Sequence, residues 1–414
     1  MTSHTTRVGV FHPGTQHSWQ TALAFQEANQ LAWYATSVFY DPERWPYRIE
    51  RWLPGGLGDR LGYEFRRRHT PLLNPDHIRL FGIDEWFEAV ARRIGLRQLS
   101  HWFNVRGNIR FAAGVIRLIE REPVDTVWGY SLSSRDVFRW AKRRGIRCVL
   151  DQTIGHPRTF NRVMAEEYQR HPEFFFSSQP PCDDVAIAMA DEEVALADLV
   201  VVGSMYCYQS MIENGCPAEK LKIVPYGFDE TLFPDALPVR RTLDHRPKDF
   251  LFVGSLDPRK GIAYLLKAFE GIDPNRATLT LVGGLGMPAS TFKRYQPHVR
   301  HVPQLPRPEV VAHFCNADVF IFPSLFEGSA LVLYEAIGAG LGIIQSAASG
   351  TGVSADSANG IVLNQVSVES VRAAIESVLD NPDKLQTWGK ESWNLREQRS
   401  WRVYRKRARD LLIK

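Results

Sequence analysis

The sequence predicts an α/β protein with two parallel sheets, one after the other along the chain. Three observations carry this. First, short apolar runs of buried-strand character recur between helix-length stretches: VGVF at 8–11, TVWG at 126–129, CVL at 148–150 and LVVV at 199–202. That alternation is what βαβ units produce. Second, the pattern restarts with FLFVG at 250–254, LTLVGG at 279–284, VFIF at 319–322 and LGII at 341–344. Third, the segment FPDALPVRRTLDHRPKD from Phe233 separates the two sets, with three prolines, many charges and no apolar period. It reads as a linker, which puts a boundary near 235–248. A chain of 414 residues also exceeds the roughly 250–300 at which a single core stops growing.

Composition narrows the class. A hydrophobic share of 44% with 23% charged residues suits a soluble globular chain and argues against disordered, fibrous or membrane-embedded ones. No run approaches the roughly 18 apolar residues of a membrane span, and the polar start from Met1 to Arg7 leads straight into VGVF without a cleavable signal pattern. A cytoplasmic protein is expected. The five cysteines, Cys148, Cys182, Cys207, Cys216 and Cys315, are odd in number and form no CxxC pair, so they read as reduced thiols rather than a disulfide framework or zinc site. A net charge of +4 is too mild to imply nucleic acid.

Along the first half, the loop HPGTQHSWQ at 12–20 follows the first strand and places His12, Gly14, Thr15 and His17 at its C-terminal edge, where ligand-contacting loops gather. From Glu43 to Arg117 the chain holds fourteen arginines, no lysine and eight acidic residues, together with Trp45, Trp52, Trp86 and Trp102. Arginine clusters such as FRRRH at 65–69, interleaved with tryptophan, suit an anionic membrane surface; a solvated helical face with the tryptophans in the core is the alternative. After CVL at 148–150 comes DQTIGHP, offering Asp151 and His156.

The second half carries the motifs with chemistry. In FLFVGSLDPRKGIAYLLKAF at 250–269, a strand ends in Gly254, turns through Ser255 and Asp257-Pro258, and presents Arg259 and Lys260 ahead of an amphipathic helix. Two cations at a strand's C-terminal edge can take up the charge of a leaving diphosphate without a metal; a capping turn with two solvated bases is the bland alternative. In LFEGSALVLYEAIGAG at 325–340, Glu327 and Glu335 flank a strand-to-helix turn. Gly328 and Ser329 let the backbone come close, and the first-turn amides have no partner inside the helix, so a diphosphate can accept from them. Glu335 is placed to accept ribose hydroxyls, and Glu327 sugar hydroxyls. Solvent-facing helix glutamates are the alternative.

On those residues the chain resembles the retaining family-4 glycosyltransferases, the glycosyl transferases group 1, whose GT-B fold sets two Rossmann-like domains facing across a cleft. The two glutamates have the spacing of that family's signature, with Ser329-Ala330 where the family usually has Phe-Gly, and the Lys260-Gly261 pair matches while Ser255 replaces the family's usual arginine. The resemblance covers most of 197–410, through ADLVVVGSMYCYQSMIENGCPAEKLKIVPYGFDETLFPD from 197 and HVPQLPRPEVVAHFCNADVFIFPS from 301. It implies that Glu335 binds the ribose, Glu327 the donor sugar, the amides of Leu331 and Val332 the diphosphate, and His301, Val302 and Pro303 the base. It implies a glycine-rich turn at 12–20, of which Gly14 remains, and a donor-touching histidine after the third strand, a role open to Asp151 or His156; Asp151 can equally cap the next element. The ending ESWNLREQRSWRVYRKRARDLLIK resembles the family's last helix, which crosses back onto the N-terminal domain with Trp401 and Tyr404 as packing residues.

The expected organisation is therefore an acceptor-binding domain over 1–235, a nucleotide-sugar-binding domain over 236–395 and a returning helix over 396–414. The expected activity is transfer of a hexosyl-type group from a nucleotide-sugar to an acceptor hydroxyl with retention, in cell-surface glycan, glycolipid or polysaccharide biosynthesis. The partners implied are the donor and a glycan or lipid-linked acceptor, with no nucleic acid, no cofactor and no metal, since no DxD-type site adjoins the donor motifs. Peripheral association with the inner face of the cell membrane is expected through 43–117. Two other classes stay open: a nucleotide-sugar epimerase or hydrolase, and a non-catalytic nucleotide-sugar sensor or subunit, which the departures at Ser255 and Ser329-Ala330 permit.

Overall fold

The computed structural model describes residues 6–14, 17–37, 39, 71–81, 97–176, 181–238, 247–353 and 358–413, except for the side chains of 97–105. The first sheet has seven strands: β1 (Val8–His12), β2 (Leu31–Thr36), β3 (Ile78–Leu80), β4 (Thr126–Tyr130), β5 (Arg147–Gln152), β6 (Leu199–Val202) and β7 (Leu221–Ile223). Their order is β3-β2-β1-β4-β5-β6-β7, and the β2–β3, β1–β2, β1–β4 and β4–β5 pairs are parallel. Helices α1 (Ser18–Glu27), α2 (Arg97–Arg121), α3 (Arg135–Lys142), α4 (Pro157–Arg170), α5 (Asp184–Leu196) and α6 (Met205–Glu213) are interleaved with these strands.

The second sheet has six: β8 (Lys248–Val253), β9 (Ala277–Val282), β10 (Arg300–Val302), β11 (Val319–Phe322), β12 (Gly342–Ser346) and β13 (Gly360–Leu363). Its order is β10-β9-β8-β11-β12-β13, all pairs parallel. The helices here are α7 (Ile262–Phe269), α8 (Ala289–Tyr295), α9 (Arg307–Asn316), α10 (Leu331–Gly338), α11 (Val368–Leu379), α12 (Lys384–Leu395) and α13 (Trp401–Asp410).

These are two Rossmann-like sheets with the same winding. Each runs outward from its first strand, then restarts on that strand's other side, and the crevice at the reversal is where such sheets hold ligands. In the second sheet the reversal lies between β8 and β11, which sets the lysine turn and the glutamate turn side by side. Strands buried on both faces explain the unbroken apolar runs: β4 and β11 are buried along their whole length. Helix α7 fixes the lysine turn from behind by burying Ile262, Leu265, Leu266 and Phe269, each worth about 1.5–3 kcal/mol relative to exposure.

The chain divides into two compact units. One holds Met1–Asp151, Met189–Val200 and Arg405–Lys414; the other holds Gln152–Ala188 and Val201–Tyr404. Within the first, Arg405 and Arg409 pair with Glu27 at 2.7 and 3.2 Å. Within the second, Trp401 and Tyr404 pack on Tyr226, with ring centres 6.2 and 6.0 Å apart. Among the described residues no helix is long and apolar enough to cross a membrane.

Candidate active site

Gly254 takes the chain out of β8 at φ 151, and Gly283 takes the neighbouring strand β9 out at the same φ. A Cβ on Gly283 would overlap the Gly254 carbonyl oxygen, so the two exits lie back to back. Beyond the exposed Ser255, the Asp257 side chain caps a single 3₁₀ turn, Pro258–Lys260, by accepting from the Lys260 amide at 3.2 Å. Gly261 then opens α7 in the left-handed region, at φ 69, and a Cβ there would overlap the Pro323 carbonyl oxygen. This contact presses the lysine turn onto the loop that follows β11.

That loop reciprocates. The Arg259 carbonyl accepts from the Leu325 amide (2.8 Å) and the Ser324 hydroxyl (3.1 Å). The Oε1 atom of buried Glu327 receives the Lys260 ammonium, the Arg259 guanidinium (2.8 Å) and the Ser324 hydroxyl (3.0 Å). Arg259 also donates to the Phe326 carbonyl at 2.8 Å, and the Lys260 ammonium lies 5.1 Å from the Phe322 ring centre. Burial pulls the Lys260 ammonium below its ordinary value; Glu327 counters this and Arg259 adds to it. Two cations here share one carboxylate, leaving a positive surplus that can take an anion.

The mouth of α10 supplies the rest. A Cβ on Gly328 would overlap the Thr153 carbonyl oxygen, and the Gly328 carbonyl accepts from the Ser204 hydroxyl. Ser329 is fixed by a 2.7 Å bond between its hydroxyl and that of Tyr334, which also accepts from the Tyr226 amide at 3.1 Å. The helix has Ala330 at its N-cap, without a side-chain cap and without an acidic residue in the first turn. The amides of half-buried Leu331 and Val332 therefore open a helix end suited to an anion. One turn on, Glu335 is 7% exposed and bonds Arg307 Nη2 through Oε1 at 2.6 Å. Burial pushes the Glu335 carboxyl up, and the guanidinium pulls it back down.

Arg307, with its side chain half exposed, was absent from the sequence-based site. Its signal is its position as first residue of α9: a cation at the positive end of a helix is disfavoured unless a carboxylate compensates. Val302 ends β10, and beside it His301 Nε2 meets the Gly283 carbonyl at 2.8 Å. Gly254, Ser255, Arg259, Lys260, Glu327, Gly328 and Ser329 lie on the two turns at the β8–β11 reversal, and Leu331, Val332 and Glu335 on the helix α10 that follows.

His12, Gly14, His17 and Asp151 gather at the C-terminal edge of β1, β4 and β5. The Gly14 amide donates to His12 Nδ1 at 3.0 Å, so the neutral ring carries its proton on Nε2. Burial lowers the His12 pKa to about 4. Asp151 Oδ2 lies 3.4 Å from His17 Nε2 and 3.3 Å from Trp128 Nε1, and both histidine rings stand edge-on to Tyr130. Thr15 lies outside the described residues. His156 belongs to the other unit, where it caps α4 by accepting from the Arg158 amide at 3.2 Å. Among the described residues no group of three or more His, Cys, Asp or Glu is arranged to hold a metal ion.

Residues 235–394 match the family model described as Glycosyl transferases group 1. The GDP-mannose-dependent alpha-(1-6)-phosphatidylinositol monomannoside mannosyltransferase of Mycolicibacterium smegmatis is 26% identical over 363 residues, 80% of this chain and 87% of its own. The D-inositol 3-phosphate glycosyltransferase of Corynebacterium aurimucosum is 26% identical over 227 residues, 50% of this chain and 54% of its own, so the chain spans about half that relative. Among solved structures, the sucrose-phosphate synthase of Thermosynechococcus elongatus superposes with a TM-score of 0.65 at 17% identity over 98% of both chains. Anabaena HepE in complex with UDP-glucose superposes at 0.61 with 14% identity, over 98% of this chain and 99% of its own. These two similarities concern the fold, which is GT-B.

Proposed function

We propose that this chain, whose residues 235–394 form a glycosyl transferases group 1 domain, moves a hexosyl group from a nucleoside-diphosphate sugar to an acceptor hydroxyl with retention of configuration. The observation that carries the reading is the convergence of Lys260 and Arg259 on the single carboxylate of Glu327 beside the uncapped start of α10. A departing diphosphate gains negative charge as the glycosidic bond breaks, and preorganised donors aimed at it stabilise the transition state most. Each charge-assisted hydrogen bond is worth roughly 1.5–3 kcal/mol. Glu335 would hold the ribose, Glu327 the donor sugar, and the Leu331 and Val332 amides the diphosphate. His12, His17, Asp151 and His156 remain candidates for the acceptor or sugar side.

Retention follows if the acceptor hydroxyl attacks the face that the diphosphate leaves and gives its proton to the leaving phosphate. That route needs no separate base, and the two protein cations would stand in for a metal. Mannosyl transfer by the Mycolicibacterium smegmatis relative and the UDP-glucose held by HepE support a hexose and leave the base to be measured. We place the reaction in glycan, glycolipid or polysaccharide synthesis at the cytoplasmic face of the cell membrane, with the arginine-rich stretch 43–117 resting on anionic lipid.

A thermal-shift screen of UDP-, GDP- and ADP-sugars should reveal one stabilising donor, by about 2.7 kcal/mol at 100 times its Kd. With that donor, Lys260→Ala and Glu335→Ala are each expected to lower transfer more than about 100-fold, or about 2.7 kcal/mol, with an unchanged circular dichroism spectrum. Near-normal turnover in both would remove the site. EDTA is expected to leave the wild-type rate unchanged. Donor binding without turnover would point to a sensor or subunit instead, and sugar release without an acceptor to a hydrolase.

A further inference from the structure

Helix α4 borders a cavity of about 680 Å³, within the roughly 300–1,000 Å³ typical of small-molecule sites. Its lining comes from α4 with Phe160, Met164 and Tyr168, from Phe175 and Phe176 after it, and from the lysine turn.

The walls are braced from outside. Asn161 exchanges two 2.8 Å bonds with the Cys182 backbone. Buried Glu167 accepts from the Tyr264 hydroxyl at 2.7 Å, and Lys267 bonds His171 and Glu173 at 2.8 and 3.0 Å. Phe160 also meets Phe326 edge-on at 5.4 Å. The polar contacts thus hold α4 and the segment after it in place, while the surface they enclose is mostly apolar. Tyr168 and Phe176 stay 54% and 42% exposed. The charged lining groups, Asp257 and Arg259, stand together at the end formed by the lysine turn. An occupant matching this distribution has an apolar body and one polar end.

We propose that this cavity seats an alkyl-type chain of the acceptor, with its hydroxyl-bearing head directed to the Arg259 turn. This rests on the transfer reading above, since only there does the turn meet a reacting sugar. Burial of the chain would then set acceptor choice, because each methylene removed from water adds to affinity, while the head supplies the hydroxyl.

The test is calorimetric titration of hexyl, heptyl and octyl β-D-glucosides, below the concentrations at which they form micelles, into the full chain and into Met164→Asp and Tyr168→Asp. UDP, GDP and ADP are titrated into the same three proteins. Tyr168 is largely exposed, so its replacement leaves the core alone. Wild-type affinity should rise about fourfold per methylene and fall at least about tenfold in each variant, as expected for a carboxylate set into an apolar wall. Nucleotide affinity should be equal in all three. Absent glucoside binding, affinity independent of chain length, or equal binding in both variants would overturn the proposal. Chain-length-dependent binding in a protein that takes none of UDP, GDP and ADP would instead overturn the transfer reading.

Discussion

Arg307 does two things at once. It occupies the first position of α9, where the helix dipole opposes a cation, and its 2.6 Å bond to Glu335 offsets that cost while pulling a buried carboxyl back down towards its ordinary range. Glu335 is pushed up by burial and held down by this guanidinium, so removing Arg307 raises it further. A ribose hydroxyl donates to the carboxylate form, and that form is lost as pH falls through the Glu335 pKa. Arg307→Ala is therefore expected to raise donor KM about 10- to 100-fold at neutral pH, the equivalent of one charge-assisted bond. The acid-side rise in KM should also begin at a higher pH than in wild type, with partial rescue by Arg307→Lys. An unshifted KM–pH profile would show that the pair is decorative. Lys260, Glu327 and Glu335 were legible in the sequence because each adjoins a strand end or helix start that the apolar pattern marks. Arg307 was not, because the meaning of its charge depends on a partner on another helix.

At the scale of elements, the lysine turn and the glutamate turn are joined by side chains, through Glu327, and also by backbone, through the Leu325 amide and the close approach at Gly261. Gly261 has φ 69 and touches the Pro323 carbonyl. Gly261→Ala thus imposes left-handed strain and a steric overlap together. Urea unfolding should show a loss of about 1–3 kcal/mol, and transfer should fall by more than the unfolded fraction explains, since the same turn aims Lys260. The strands that frame these turns were visible as apolar runs because both their faces are buried. The outer strands were not: β7 reads LKI, β10 reads RHV, and both are three residues long with exposed positions. An edge strand half in water has neither the length nor the composition to stand out. Leu31–Thr36, reading LAWYAT, is short and mixes alanine with aromatics, so periodicity alone does not separate strand from helix there.

At the scale of the whole molecule, two sheets repeat one winding, and each gathers polar side chains at its reversal. The α/β class and the restart after Pro234 were therefore readable from spacing, whereas the grouping of 152–188 with the second half depends on tertiary contacts with no local pattern. The charge of the chain also acts at this scale. Arg66, Arg67 and Arg68 lie outside the described residues, and the proposal that they meet lipid is tested in solution. The protein should sediment with anionic but not neutral vesicles, less so in high salt, and replacing all three arginines with glutamine should cut binding by at least about tenfold, at roughly 1 kcal/mol each. Sedimentation that ignores both salt and the replacements would place the contact elsewhere. The back-to-back exits of β8 and β9 carry a lesson for retargeting the enzyme. Positions 254 and 283 both hold φ 151, which side chains rarely adopt, and a Cβ at 283 would also overlap the Gly254 carbonyl oxygen, so replacing either is expected to destabilise the fold rather than give new donor preferences. Diversity belongs at the exposed Ser255 and Leu285, which flank those exits, and not at His301, which bonds the Gly283 carbonyl.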